Sequence, residues 1–105
     1  MFRNIVSLLF CALLLGPFSS LAFEGPSLDL GKSLFESSDL GSKKSSCSSC
    51  HPQGKGLEKI GDFSDEELKD IINACIRDAL GGNLLDVDSQ EMNALLSYVR
   101  MYQKH

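Results

Sequence analysis

Three stretches of the chain repeat apolar residues at the spacing of one helical face. The pattern predicts helices over residues 27–38, from Ser64 to the Gly81-Gly82 pair, and from Ser89 to the polar end. The inward stripes of the second and third helices are Leu68, Ile71, Ile72, Cys75, Ile76 and Ala79, followed by Met92, Leu95, Leu96 and Val99. No stretch alternates apolar and polar residues as a strand does, so the predicted fold class is all-α.

Helix starts are predicted at two sites with the same local chemistry. Ser64-Asp65-Glu66-Glu67 and Asp88-Ser89-Gln90-Glu91 both resemble capping boxes, in which a side-chain oxygen and a carboxylate satisfy the first amides of the helix. Residues 37–49 are rich in Ser and Gly and are predicted to form a solvated loop, whereas residues 52–62 have three glycines and no periodicity and are predicted to be irregular chain.

The first 22 residues read as a secretory signal peptide. A positive start at Arg3 precedes an apolar run over residues 5–15, which is too short to span a bilayer, and Ser20-Leu21-Ala22 offers small residues for cleavage. The alternative is an uncleaved membrane anchor. Cleavage after Ala22 would remove Cys11 and leave a domain of residues 23–105 in the periplasm or another exported location, without an integral membrane segment.

The predicted mature domain is small and acidic. It has 83 residues, which is marginal for a core without a staple or a metal. Nine basic and fourteen acidic side chains give it a formal net charge of −5. Nucleic acid is not expected as a partner, because its binding requires a basic face.

Cys47-Ser48-Ser49-Cys50-His51 is the motif that carries chemistry. One helical turn separates the two thiols, so both can bond the same side of a haem, and His51 can then ligate the iron as the proximal ligand. The alternatives are a thioredoxin-like redox pair, half a zinc site and a chance match. The first lacks a βαβ setting and the second lacks another ligand pair. The sequence therefore predicts one covalently bound haem c.

With that motif in place, the chain resembles a class I cytochrome c. The resemblance rests on residues 31–35, the motif at 47–51 and residues 95–100, and it covers nearly all of the predicted mature domain. It implies about three helices packed around one haem, Gly31 packed near Tyr98, and electron transfer with redox partner proteins. In that family a methionine ligand usually lies in the loop before the last helix, but here residues 80–86 contain no methionine.

The distal haem ligand therefore stays open among several residues. The region around Cys75 is similar to haem domains of thiosulfate dehydrogenase and sulfur-oxidising cytochromes, in which a cysteine at this position can ligate the iron. Cys75 is favoured, although a buried cysteine is equally typical of a small core residue. Met92, on the inward stripe of the last helix, is the alternative ligand. Met101 is on the opposite side of that helix, and Asn73 lies off the apolar stripe of the second helix.

Three functions are compatible with an exported domain that carries one covalently bound haem. The favoured one is an exported monohaem c-type cytochrome that carries electrons and is not itself an enzyme. The second is a subunit or haem domain of a sulfur-compound oxidoreductase of the thiosulfate type, with Cys75 as the distal ligand. The third is a haem protein that binds a small ligand at an open site.

Overall fold

The computed structural model describes residues 27–104. In chain order its helices are α1 (Leu28–Glu36), α2 (Cys47–Cys50), α3 (Asp65–Asp78) and α4 (Gln90–Arg100), with 3₁₀ turns at Pro52–Gly54 and Ile60–Asp62. Within this range the only extended pairing is a single bridge between Gly41 and Gly82. The all-α prediction is therefore confirmed, with a one-turn helix added to the three predicted.

The signal-peptide prediction falls on residues 1–22, which lie outside the described part of the chain together with Cys11 and the cleavage site. Among residues 27–104, no helix is both long and apolar enough to cross a membrane.

Helices α1 and α4 form the most extensive helix pair in residues 27–104. They cross at Gly31, where an added β-carbon would lie 2.7 Å from Cβ of Tyr98 and would also clash with the carbonyl of Ala94. The expected packing of Gly31 near Tyr98 is confirmed. One turn further along α1, the ring of Phe35 lies 5.3 Å from the ring of Tyr98, and Tyr102 completes the aromatic cluster.

Helix α3 begins with the predicted capping box. Ser64 Oγ accepts a hydrogen bond from the Glu67 amide at 3.1 Å, and the Glu67 carboxylate accepts one from the Ser64 amide at 2.8 Å. Leu68 and Ile76 are buried as predicted. On the same stripe, however, Ile71, Cys75 and Ala79 are exposed, so the prediction that the whole stripe, Cys75 included, faces inward is wrong. Periodicity identified an apolar face of α3, but one side of that face borders a cavity rather than another helix.

Helix α4 is capped by Ser89, whose Oγ accepts a hydrogen bond from the Met92 amide at 3.1 Å. The predicted capping box is wrong at this helix. With Ser89 as the cap, the third helical residue is Met92, which has no carboxylate to bond the cap amide. The predicted inward stripe of Met92, Leu95, Leu96 and Val99 is entirely buried, and Met101 is 61% exposed as expected.

The segment before α2 is tied to the end of α3. The amides of Ser42 and Lys43 donate to the carbonyls of Gly81 and Leu80 at 3.2 and 3.0 Å, and Lys43 Nζ donates to the Asp78 carbonyl at 2.8 Å. These bonds hold α2 and the C-terminal end of α3 around a common space.

The hydrophobic core fills the angle between α1, α3 and α4. Its members are buried apolar side chains from the three helices and from the second 3₁₀ turn: Phe35, Ile60, Leu68, Leu95, Leu96, Tyr98 and Val99. Cys47 packs against this cluster, so the short helix α2 sits directly on the core.

Candidate functional site

The one-turn helix α2 is built by serines at its N-terminal end. Ser46 is its cap: its Oγ accepts a hydrogen bond from the Ser49 amide at 3.1 Å, and its own amide donates to Ser49 Oγ at 3.0 Å. This reciprocal capping stabilises a helix of only four residues, which would otherwise be too short to persist. The turn places Cys47 and Cys50 on the wall of the same cavity.

His51 ends this helix, and its ring is oriented by the chain that follows. The His51 amide bonds the Cys47 carbonyl at 2.9 Å. The backbone then turns sharply through Gln53 and Gly54, both with positive φ, and returns the Lys55 carbonyl to 2.8 Å from His51 Nδ1. A carbonyl can only accept, so Nδ1 carries the proton and donates. The neutral ring then has its lone pair on Nε2, the arrangement required of a metal-ligating histidine.

A single cavity of about 390 Å³ is lined by Cys47, Cys50 and His51. Its size falls within the range of roughly 300–1,000 Å³ that is usual for small-molecule sites. Its walls are almost wholly apolar and come from every helix and from the loop after α2. Besides Cys47, Cys50 and His51, the lining includes Phe35, Leu57, Ile60, Phe63, Leu68, Ile71, Ile72, Cys75, Ala79, Leu80, Leu95 and Val99.

Helix α3 supplies one wall of the cavity, and Cys75 lies on it. Burial raises the pKa of the Cys47 thiol to about 11, and the nearby Cys75 and Cys50 add to that rise. Cys75 is exposed as a residue, but partial burial of its thiol against the cavity wall raises its pKa, with smaller contributions from Cys50 and Asp78. The mutual influence of the thiols is consistent with three sulfur atoms facing a common space of low polarity.

The other proposed ligands are placed differently. Met92 is 0% exposed and lies in the core, but it is not among the residues that line the cavity. Met101 points to solvent. Asn73 is also absent from the lining, and its side chain donates to the Leu85 carbonyl at 2.9 Å and accepts from the Leu85 amide at 2.8 Å. Of the four candidates, Cys75 alone lies on the cavity wall.

Asn73 and Arg100 are residues whose roles the sequence reasoning missed. Asn73 is off the apolar stripe, as predicted, yet it is buried and clamps the loop between α3 and α4. Arg100 binds the turn at residues 60–63, which forms part of the cavity wall. Both bind backbone groups that are distant in sequence, for which a single sequence carries no signal.

The chemistry available at this site is limited and specific. Two thiols one helical turn apart can bond covalently to a reactive group, and His51 Nε2 and Cys75 Sγ can each ligate a metal that such a group carries. Within residues 27–104, no cluster of three or more His, Cys, Asp or Glu side chains is arranged to hold a metal ion by itself. Comparison of the chain with protein-family models, curated proteins and solved structures finds no significant match.

Proposed function

We propose that this chain is an exported monohaem c-type cytochrome of the class I fold, which carries single electrons between redox partner proteins. Cys47 and Cys50 form the thioether bonds to the haem, and His51 is its proximal ligand. The observation that carries the proposal is that both thiols and the oriented imidazole line one apolar cavity.

The residues present fit a haem in three respects. The apolar walls suit a flat macrocycle, and burial of its faces would supply apolar contact that a domain of this size needs. The thiols stand one helical turn apart, the separation that two vinyl groups on one edge require. Cys47 and Cys50 would hold the haem if each thiol S–H added across a vinyl double bond, with sulfur on one carbon and hydrogen on the other, an addition that would consume no oxidant.

The bound haem supplies an iron that alternates between two oxidation states. The chain's own residues hold it and control its surroundings. His51 donates its Nε2 lone pair while the Lys55 carbonyl fixes the ring, and the apolar walls keep water away. Phe63 and Ile71 line the cavity but are 40% and 39% exposed, which leaves one side accessible for electron transfer to a docked partner.

Covalent attachment is tested by producing the protein in a host that matures c-type cytochromes. Wild type should retain haem through denaturing electrophoresis, and the Cys47→Ser, Cys50→Ser double variant should lose it. Cys75→Ser is the matched control, because Cys75 lies outside α2 and should leave covalent attachment intact. A folded wild-type protein without colour would contradict the proposal.

The distal ligand is proposed to be the Cys75 thiolate, because Cys75 is on the cavity wall and Met92 is not. An anionic thiolate stabilises ferric iron and lowers the reduction potential, whereas methionine raises it. Absorption and paramagnetic resonance spectra of the ferric protein should therefore change in Cys75→Ala and stay the same in Met92→Leu. The reverse pattern would assign Met92.

A second function, as a subunit of a sulfur-compound oxidoreductase, is favoured by one observation. Cys75 is exposed on the cavity wall, where a soluble sulfur compound could reach it. Thiosulfate added alone to the ferric protein should then reduce the haem, and an added electron acceptor should be reduced over repeated turnovers as it reoxidises the haem. An unreduced haem would remove this activity from the isolated chain.

A further inference from the structure

The guanidinium of Arg100, at the end of α4, joins parts of the chain that are about forty residues apart. Its Nη1 donates to the Ile60 carbonyl at 3.1 Å, and its Nη2 donates to the Phe63 carbonyl at 2.9 Å and to the Asp65 carboxylate at 2.8 Å. Nη1 also bonds Gln103 Oε1 at 3.0 Å. The Arg100 side chain is 23% exposed; its bonds to Ile60 and Gln103 are partly buried, whereas its bonds to Phe63 and Asp65 are open to solvent.

The residues that Arg100 holds define a turn on the cavity wall. Ile60 and Phe63 bracket the second 3₁₀ turn, and both side chains line the cavity. Within the turn there is one backbone bond, from the Phe63 amide to the Ile60 carbonyl at 3.0 Å. Nearby, the Lys104 amide donates to the Glu58 carbonyl at 2.8 Å, so the end of the chain beyond α4 lies along the same loop.

Arginine is suited to this task because its planar fork presents several donors in fixed directions. Two of its acceptors are main-chain carbonyls, so Arg100 fixes the path of the turn itself. Bonds from a charged donor are also stronger than neutral ones. The other arginine of α3 and α4 behaves differently: Arg77 pairs with its neighbour Asp78, and its side chain is 59% exposed.

We infer that Arg100 is a positioning residue, whose guanidinium holds the 60–63 turn against α4 and so sets one wall of the cavity. None of its hydrogen bonds reaches the thiols or His51, and it acts through the turn that carries Ile60 and Phe63. Where it concerns the haem, this inference rests on the proposed function. The effect on the turn is independent of it.

The first test measures hydrogen exchange of the purified exported protein over residues 58–66. Arg100→Ala should speed exchange there by about tenfold or more, a ratio equivalent to about 1.4 kcal/mol of opening free energy. Arg100→Lys keeps the charge but not the fork, so it should restore only part of the protection. Arg77→Ala is the control and should match wild type. Unchanged exchange in Arg100→Ala would refute the tether.

The second test reads the effect at the haem. Displacing the turn would admit water to the cavity. Water stabilises the oxidation state in which the haem and its ligands carry the larger net charge. Arg100→Ala should therefore shift the reduction potential, and Arg77→Ala should not. If Arg100 acts through the turn, its shift and that of Phe63→Ala should be non-additive in the double variant. An unchanged potential, or strictly additive shifts, would refute transmission to the cavity. If wild type binds no haem, the proposed function fails and the exchange data alone decide the role of Arg100.

Discussion

Replacing Gly31 with alanine places a methyl group where α1 and α4 touch. The new β-carbon would lie 2.7 Å from Tyr98 Cβ and would overlap the Ala94 carbonyl. Carbon atoms in favourable contact are about 3.5–4.0 Å apart, so the two helices must separate to admit the methyl group. Neither neighbour is the end of a flexible side chain, because one is a β-carbon and the other is main chain of α4.

The expected magnitude is a balance of two effects. Alanine is favoured over glycine inside a helix by about 1 kcal/mol. Overpacking a well-packed interface costs about 1–3 kcal/mol, and this contact falls at the upper end because rigid groups must move. The net loss in free energy of unfolding should be about 1–2 kcal/mol for Gly31→Ala and larger for Gly31→Val. Separation of α1 would also move Phe35, which lines the cavity.

Urea unfolding followed by circular dichroism measures this loss as a lower midpoint at an unchanged slope. Gly61→Ala is the matched control, since a β-carbon there would meet nothing nearer than 3.5 Å. Its effect should stay within about 0.5 kcal/mol of zero or be slightly stabilising. If Gly31→Ala were as stable as wild type or more so, the close approach of α1 and α4 described here would be wrong.

Three further substitutions test other contacts. Asn73→Ala leaves the amide and carbonyl of Leu85 without their side-chain partners and should cost about 1–3 kcal/mol in urea unfolding. Ser64→Ala removes the cap of α3 and should cost about 1 kcal/mol in the same assay. The hydrogen bond with Tyr102 raises the pKa of Tyr98 from 10.0 to about 12, and burial adds to it. The stability from this shift is present below pH 10 and is lost as the pH rises through about 12, so Tyr98→Phe should flatten the alkaline loss of stability.

Each of these three substitutions has its own control variant or control measurement. Asn83→Ala removes an exposed asparagine, so a loss as large as that of Asn73→Ala would contradict the assigned clamp. Ser38→Ala, at an exposed position after α1, should be neutral beside Ser64→Ala. For the tyrosine, ultraviolet titration of wild type should show a group that ionises late, which disappears in Tyr98→Phe. Ionisation of Tyr98 at its ordinary pKa of 10.0 would show that its hydrogen bond has no effect.

The helices could be predicted because their signals are local. The Ser64 capping box and the buried stripe of α4 depend on neighbouring residues, and both are confirmed. The partial failure on α3 has a physical cause: periodicity places Cys75 on the apolar face, but it cannot distinguish a wall of packed side chains from the wall of a cavity. The same limit applies to Met92, which shares an inward stripe with cavity residues yet lies outside the cavity.

The candidate site was also only partly predictable, because some of its residues form a local motif and others meet only in the folded chain. The motif alone predicts Cys47, Cys50 and His51 as site residues, and in the structure all three line one cavity. The partners that fix the site in place could not be predicted, because they are main-chain groups reached by folding. Lys55 orients His51 through its carbonyl, and Arg100 holds the 60–63 turn through two carbonyls. Backbone acceptors exist at every position, so residue identity does not reveal which one is used.

The bond from His51 Nδ1 to the Lys55 carbonyl has a consequence for how the imidazole can be altered. Because the acceptor belongs to the main chain, replacing the Lys55 side chain leaves it in place, and point substitutions there should be tolerated. The ring angle depends instead on the number of residues in the tight reversal between His51 and Lys55. Inserting or deleting one residue in that reversal would turn the imidazole away, so the number of residues between His51 and Lys55, more than their identity, sets the orientation of the His51 ring.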